Sequence, residues 1–567
     1  MAATPSQHRA TERRDEVGAG EGFLLGGVML VLGLALRIGY VFHHRVNLDE
    51  TEHLHVAWGW AHGLLPYRDI FDNHAPVFSV LMAPLIGALG ERPDIVLFAR
   101  WAMLPLVGLT LAMTWLVGRR LYSASVALWA VAIAAVIPDF LLASVEYRAD
   151  QLWAACWLAT LAVLLSDRLT RTRSFAAGVL LGLTFAVSLK TSLLVISLAT
   201  AATAAAVMLK QRGVRLRVRW IVGRAALAAL GVVLVPGWVM IYFAARGLWA
   251  PFLYNTVGHN LVSGLGLWHK APFRVLLIPA SAPLMWIIAR QIVDRAPDFG
   301  TGARRAVLFL TAAGYIVTLQ GFWPLITRED IMPFAPMVAL VATPWLPGFL
   351  ATWIADANDR AQLARGLRNA AVLVVVAEMT WVLAAEPVWR DELEPEVGFV
   401  REVLRLTHTG EPVMDMRGEA VFRLRPFYYA LESITLERIK LGLLRDGIAE
   451  RLVATRTPAA VLDNYELPEP SRSFLNANYL PVGPLRVAGE FLGAADSADA
   501  RRFEIRVPQR YAMVCEGGPA TGLLDGMAYR GPRDLAAGWH SYQAGSSEGR
   551  TAVIWAGAVA RGASPFR

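Results

Sequence analysis

A run of ionisable residues early in the chain has the composition of a catalytic loop. It comprises residues 47–55, Asn-Leu-Asp-Glu-Thr-Glu-His-Leu-His, and is followed by further polar motifs at 63–69 and 72–77. A partly desolvated carboxylate can take a proton from a hydroxyl group, because burial raises its basicity while nearby cations keep it ionised. Asp49 and Glu50 are therefore candidates for a general base.

Two other interpretations of these carboxylates stay open at this point. Apolar residues recur with helical spacing as far as His62, which predicts a helix lying along the membrane interface. Asp49 and Glu50 would then cap that helix by accepting its free N–H groups. They are also suitable ligands for a divalent metal ion, although the nearby His53 and His55 are two residues apart and would face different sides of the helix.

The composition of the chain indicates a polytopic membrane protein. Of its 567 residues, 55% are hydrophobic and only 18% are charged, which is too apolar for a series of soluble domains. The formal net charge of +8 is expected to collect in cytoplasmic loops, so we predict no nucleic-acid partner. Cys156 and Cys515 are the only two cysteines, which excludes a disulfide framework and a multi-cysteine metal site.

Eleven apolar segments are predicted to span the membrane. A span needs about 20 residues to cross a hydrocarbon core of about 30 Å. The predicted spans are 23–42, 96–117, 124–143, 151–166, 174–190, 191–209, 221–245, 273–290, 306–323, 331–350 and 369–385. Residues 1–22 before them are predicted to be a flexible cytoplasmic tail, and 43–92 is predicted to be the first external loop, within a membrane core of 23–385.

Positive charge supports this arrangement of the spans. Every segment assigned to the cytoplasm is basic, with Arg119 and Arg120 in one and six basic residues between Lys210 and Arg224 in another. An odd number of spans places the C-terminus outside. Lys190 separates the two short runs within 174–209, where a re-entrant hairpin is the alternative to two spans.

The composition changes at about Glu386, and residues 386–567 are predicted to form an external α/β domain. Charged, Pro and Gly residues become frequent, and no apolar run reaches spanning length. Helix-like patterns cover 396–406 and 436–452, and strand-like patterns cover 413–416, 459–462, 486–491 and 503–507. Because no phosphate loop or nucleophile elbow is present, a lid or partner platform is the plainer interpretation.

An ordered series of short motifs resembles the GT-C superfamily of membrane glycosyltransferases. Its bacterial members include the aminoarabinose and galacturonic acid transferases of lipid A and the protein O-mannosyltransferases. The resemblance covers residues 22–210 and, more weakly, the external Arg328-Glu-Asp330. The motifs that carry it are Asp49-Glu50, Gly63 with Pro66, Asp69, His74-Ala-Pro76, Arg100 and Glu146-Tyr-Arg-Ala-Asp150.

The resemblance implies transfer of a sugar from a polyprenyl-phosphate donor to an envelope lipid, glycan or protein. The site would lie at the external face of a bacterial inner membrane. It implies that Asp49 is the general base of an inverting reaction, that Glu50 assists or binds a divalent metal ion, and that Asp150 is a second acid. The cations available for the donor phosphate are Arg68, His74, Arg148, Lys190 and Arg328. His74 stands where members often carry a basic residue before two prolines.

A secondary transporter or lipid flippase is the alternative from a different functional class. Transporters are often built from repeated spans and place ionisable residues near the membrane midplane. Here the acidic residues cluster in one external loop, and no repeat is visible. A non-catalytic scaffold for envelope assembly is a third interpretation, and it would tolerate neutralisation of Asp49.

The spans and basic loops predict the orientation of the chain. A reporter fused after Arg567 should register outside the cytoplasm, and a reporter inserted near Arg215 should register inside it. Paired fusions of an enzyme active only in the periplasm and a fluorescent protein active only in the cytoplasm provide the measurement. A cytoplasmic C-terminus would mean an even number of spans.

Overall fold

The computed structural model describes residues 5–215, 217–262, 271–323, 325–346, 360–461, 467–494, 500–545 and 549–566. A helical part reaches Ala385, and a domain of mixed helices and sheets follows it. This arrangement confirms the predicted fold class, an α-helical polytopic protein with a C-terminal α/β domain.

Sixteen α-helices form the described helical part. Short irregular turns accompany them: a π-helix at Tyr254–Gly258 and 3₁₀ helices at Pro272–Leu276, Arg328–Ile331 and Thr343–Trp345. The α-helices are α1 (Pro5–His43), α2 (Leu48–Ala61), α3 (Val77–Leu89), α4 (Ile95–Trp101), α5 (Leu104–Leu121), α6 (Ala124–Val136), α7 (Pro138–Ala143), α8 (Ala149–Leu164), α9 (Arg171–Val187), α10 (Thr191–Gln211), α11 (Val218–Ala245), α12 (Trp249–Leu253), α13 (Leu277–Asp294), α14 (Phe299–Phe322), α15 (Phe334–Ala342) and α16 (Arg360–Ala385).

Seven stretches in the described part of the chain are long and apolar enough to cross a membrane. Shorter apolar helices at Val77–Leu89, Ala124–Val136, Ala149–Leu164 and Phe334–Trp345 accompany them. Each predicted span contains a helix, although 124–143 is divided because Ile137 is extended and Pro138 begins a new helix. The end of the predicted span 331–350, residues 347–350, lies outside the described residues. The seven stretches are Gly20–His43, Ile95–Leu121, Thr191–Gln211, Val218–Ala245, Pro272–Asp294, Phe299–Phe322 and Arg365–Ala385.

The structure corrects the prediction for the N-terminal tail. Residues 5–22, predicted to be flexible, continue the first helix, which begins at Pro5. The prediction relied on the lack of apolar periodicity. Adding residues to an existing helix avoids the cost of nucleation, so a polar segment with three Glu and three Arg residues, which are good helix formers, can extend the apolar helix that follows it.

Glycine residues allow α9 and α11 to pack backbone against backbone. A Cβ atom on Gly178 would stand 2.0 Å from the carbonyl oxygen of Ala228, and one on Gly182 would stand 2.4 Å from that of Val232. Small residues at such spacing are typical of closely packed membrane helices. This contact holds α9, which ends just before Lys190.

A buried arginine connects α1 to the segment that leads into α8. The Arg37 side chain donates hydrogen bonds to Ser144 Oγ and to the carbonyl oxygen of Ala135, both at 2.9 Å. It is 1% exposed, and a cation at such a position needs these acceptors to offset the loss of its hydration. The contact therefore fixes the chain just before Arg148.

The C-terminal domain contains five α-helices and eleven β-strands in the described residues. The helices are α17 (Glu394–Leu406), α18 (Ser433–Lys440), α19 (Ile448–Ala454), α20 (Glu469–Asn478) and α21 (Ala556–Ala560). The strands are β1 (Val413–Met414), β2 (Ala459–Val461), β3 (Tyr479–Val482), β4 (Leu485–Ala494), β5 (Arg501–Ile505), β6 (Gln509–Cys515), β7 (Gly522–Leu524), β8 (Met527–Ala528), β9 (Arg533–Leu535), β10 (Gly538–Ala544) and β11 (Arg550–Trp555).

These strands form two sheets. The first has the order β1-β2-β4-β11-β6-β9, with β3 also paired to β4, and the second has the order β5-β10-β7-β8. Only β1 and β2 run parallel among the described pairs. The four predicted strand-like patterns overlap β1, β2, β4 and β5, whereas β3 was not predicted. The single helix predicted over 436–452 is wrong, because Gly442, at φ +70°, follows the end of α18 and separates it from α19.

Candidate active site

The guanidinium group of Arg148 is the meeting point of the candidate site. Arg148 directly precedes α8, and its side chain is 8% exposed. Its nitrogen atoms lie 2.7 Å from Asp49, 3.2 Å from Asp150, 3.2 Å from Glu329 and 3.8 Å from Glu146. One buried cation therefore joins the start of α2, the start of α8 and the 3₁₀ helix at 328–331.

Two more of the predicted phosphate-binding cations lie in the same charged cluster. Lys190 forms an ion pair with the fully buried Asp330, and Arg328 forms one with the fully buried Glu146. Arg328 and Arg148 share Glu146 and Glu329 as partners. The structure thus brings Arg148, Lys190 and Arg328 together, as the sequence predicted.

Asp49 lies between two guanidinium groups. One oxygen is 2.7 Å from Arg148, and the other is 3.3 Å from Arg417 of the C-terminal domain. Burial by itself raises the pKa of Asp49, but the charges of Arg148 and Arg417, with smaller effects of His74 and His53, hold the pKa below its ordinary value. Asp49 is therefore ionised at neutral pH, and its side chain remains 28% exposed.

Glu50 faces the protein interior, where both of its carboxylate oxygens are bound by other residues. Its two oxygens accept hydrogen bonds from Arg100 at 2.7 and 2.8 Å, and backbone N–H groups of Tyr147 and Asn47 also donate to them. Burial raises the pKa of Glu50, but Arg100 outweighs it and lowers the pKa. Asn47 and Glu50 form a capping box at the start of α2, so the capping interpretation is confirmed for Glu50.

Asp49 and Glu50, the predicted metal ligands, are both engaged by guanidinium groups. The oxygens of Glu50 are engaged by Arg100, and those of Asp49 are engaged by two other guanidinium groups. No group of three or more His, Cys, Asp or Glu side chains in the described residues is arranged to hold a metal ion. Asp49 and Glu50 therefore do not form a metal-binding pair in this arrangement.

His74 lies at the edge of the site and is paired with an acid of its own loop. Its Nδ1 atom is 3.3 Å from Asp72, and its ring meets the ring of His53 edge to face at 4.7 Å between centroids. Nearby Glu52 is buried, and its Oε1 atom has no hydrogen-bond partner among the described residues. Burial raises the pKa of Glu52 to about 8, which favours the neutral form of this side chain at pH 7.

Arg68 does not belong to the cluster, which corrects the sequence prediction. Its side chain is 54% exposed and pairs with the adjacent Asp69 at 2.8 Å. The loop turns here with Tyr67 at φ +68°, and the Tyr67 hydroxyl donates to the carbonyl oxygen of His74. Arg68 was predicted as one of the external cations available for the donor phosphate, but its ion-pair partner is Asp69 and not an acid of the cluster.

Arg417 was not identified from the sequence. It lies in a loop after β1, where Asp415 accepts the N–H of Ala420 at 2.9 Å and Glu419 accepts the N–H of Arg417 at 2.7 Å. Arg425 in turn binds Asp415 at 2.7 Å. A glycine among charged residues after a predicted strand indicates a turn, but it does not indicate what the turn contacts.

This loop contacts α2 so closely that only glycine fits at position 418. Gly418 has φ +102°, and a Cβ atom on it would stand 2.9 Å from His55 Cβ and 3.1 Å from the carbonyl oxygen of Thr51. His55 Nδ1 also lies 2.8 Å from the carbonyl oxygen of Val421. The C-terminal domain therefore packs on the helix that carries Asp49.

The ion pair between Glu50 and Arg100 predicts a loss of stability on substitution. Glu50→Gln should lower the free energy of unfolding by about 3–5 kcal/mol, because Arg100 would remain buried without a counter-charge. Thermal unfolding of purified protein in detergent measures the change. Glu394→Gln on an exposed site should leave stability nearly unchanged. Unaltered stability of the Glu50 variant with lost activity would instead assign Glu50 a chemical role.

The fold is shared with solved membrane-protein structures. No protein-family model matches this chain, and no curated protein matches it. The crystal structure of ArnT from Cupriavidus metallidurans bound to undecaprenyl phosphate has a TM-score of 0.50 and 13% sequence identity, with 77% of this chain and 93% of that chain covered. The apo structure of the same protein has a TM-score of 0.53 and 13% identity, with 82% and 98% covered.

A more distant likeness is to the archaeal oligosaccharyltransferase AglB from Archaeoglobus fulgidus, in complex with an inhibitory peptide and a dolichol-phosphate. Its TM-score is 0.40 at 12% identity, with 77% of this chain and 69% of that chain covered. The likeness to ArnT extends over 98% of that protein and 82% of this chain, which is more than the helical part of this chain alone. This chain therefore has the ArnT fold, which confirms the predicted GT-C-like architecture.

Proposed function

We propose that this chain is a glycosyltransferase that transfers a sugar from a polyprenyl-phosphate donor to an envelope lipid, glycan or protein. The proposal is carried by the position of Asp49, a partly exposed and ionised carboxylate bound to Arg148, in a cluster that also contains Lys190 and Arg328. Its fold supports the choice of donor, because ArnT was crystallised with undecaprenyl phosphate. The site would lie on the external face of a bacterial inner membrane.

The charges suggest how the reaction proceeds. The acceptor hydroxyl attacks the anomeric carbon and gives its proton to Asp49, while the bond from that carbon to the phosphate oxygen breaks. The electron pair leaves with polyprenyl phosphate, and the cations stabilise the negative charge that develops there. Sugar, proton and electron pair are thus all accounted for without a further reactant.

A single displacement with inversion fits these residues better than a double displacement. Retention would need a second carboxylate, free to act as a nucleophile, about 5 Å from the first. The acids that share Arg148 with Asp49 are Asp150 and Glu329, each 3.2 Å from Arg148, and Glu146, 3.8 Å from it, so all three are engaged by that cation. Asp150, predicted as a second acid, is thus proposed to position Arg148.

The role of Asp49 can be tested by a nearly isosteric substitution. Asp49→Asn should reduce sugar transfer by about 100-fold or more while the protein stays folded, because the amide cannot accept the proton. Transfer from a polyprenyl-phosphate sugar by monodisperse protein is the measurement. Asp94→Asn, which makes the same change in an acid paired with Arg92, is the matched control. Retention of most activity by the Asp49 variant would place the base elsewhere.

The role of Lys190 can be tested by binding of the donor phosphate. Lys190→Met should weaken the binding of polyprenyl phosphate about 10- to 100-fold, because a charge-assisted hydrogen bond is lost and Asp330 is left uncompensated. Lys210→Met, at the opposite end of the 21-residue α10, is the control. Equal binding by both variants and by the unmodified protein would assign Lys190 to the fold.

A further inference from the structure

The charged cluster has few cationic donors that are not already bound. Five carboxylates lie in it, and four cations face them in the described residues. A lipid phosphate that entered the site would add another negative charge, so its binding depends on a cation that can change partners. The carboxylates are Asp49, Glu146, Asp150, Glu329 and Asp330, and the cations are Arg148, Lys190, Arg328 and Arg417.

The four cations differ in how firmly they are held. Arg148 has four carboxylates within 3.8 Å, and Lys190 and Arg328 are each paired with a fully buried acid. Arg417 has one acidic partner, Asp49, at the longer distance of 3.3 Å. Its Nε atom is buried and has no hydrogen-bond partner among the described residues. Of these four cations, Arg417 is therefore the one whose side chain can leave its acidic partner with the smallest loss of electrostatic stabilisation.

The backbone around Arg417 is fixed, so only its side chain needs to move. Asp415 and Glu419 accept backbone N–H groups of the loop, and Gly418 is in contact with α2. The Arg417 side chain is 18% exposed and that of its partner Asp49 is 28% exposed, so the pair is partly accessible to solvent. A guanidinium group suits a phosphate, because its planar donors can bind two oxygens at once.

We propose that Arg417 is a donor-phosphate-binding residue supplied by the C-terminal domain, which is bound to Asp49 in this structure and moves to the phosphate when the donor binds. This inference rests on the proposed function. The movement of Arg417 would also promote proton transfer, because Asp49 becomes a stronger base when it loses this guanidinium partner. The donor itself would thus activate the base.

If Arg417 exchanges Asp49 for the donor phosphate, its substitution should have an effect on binding that a purely structural role of Arg417 would not produce. Arg417→Gln should weaken binding of undecaprenyl phosphate in nanodiscs by about tenfold. Asp49→Asn should strengthen that binding, because Arg417 no longer has a competing partner. The loss caused by Arg417→Gln should then be several times larger in the Asp49→Asn background than in the unmodified protein, as a double-mutant cycle measures.

The double-mutant cycle distinguishes an exchange of partners by Arg417 from a purely structural role. Equal losses in both backgrounds, or no loss in either, would overturn the exchange, and absence of binding by the unmodified protein would overturn the proposed function as well. Arg401→Gln, at an exposed position of the same domain, is the control for a change of charge. If Arg417→Gln does not fold, Arg417→Lys replaces it in the cycle, with a smaller loss expected because the ammonium lacks the planar pair of donors.

Discussion

The buried guanidinium group of Arg148 holds four carboxylates that would otherwise repel one another. Asp49, Glu146, Asp150 and Glu329 come from three separate segments, and each lies within 3.8 Å of it. Burying such charges is costly unless they are paired and hydrogen-bonded, so the position of every segment depends on the same cation. The helices around it can then remain apolar and pack closely.

Two adjacent carboxylates have different roles because a helix turns by about 100° from one residue to the next. Glu50 points inward, where Arg100 and the N–H groups of Tyr147 and Asn47 bind both of its oxygens. Asp49 points toward the charged cluster and keeps an exposed face. The inner acid fixes the start of α2, and that fixed start orients the outer acid.

The C-terminal domain completes the site that the helical part begins. Arg417 lies 368 residues after Asp49 in the chain, and contact between them requires the loop after β1 to approach α2 at Gly418. The domain was interpreted from the sequence as a lid or partner platform. One of its loops contributes a charge to the surroundings of the candidate base, which links the position of the domain to the acidity of Asp49.

The sequence by itself determined the membrane class and a helix in each predicted span, and it identified Asp49, Arg148, Lys190 and Arg328 as candidate site residues, which the structure places in one charged cluster. Apolar runs are local signals, and charges in an apolar chain need partners, so both can be read without a structure. Only the tertiary structure decided the pairings, because ion pairs such as Lys190 with Asp330 and Arg328 with Glu146 join residues 140 and 182 positions apart. For the same reason the sequence did not show that Glu50 binds Arg100, that Arg68 pairs with Asp69, or that Arg417 contacts Asp49. Local spacing does not specify which way a side chain faces or which distant segment packs against it.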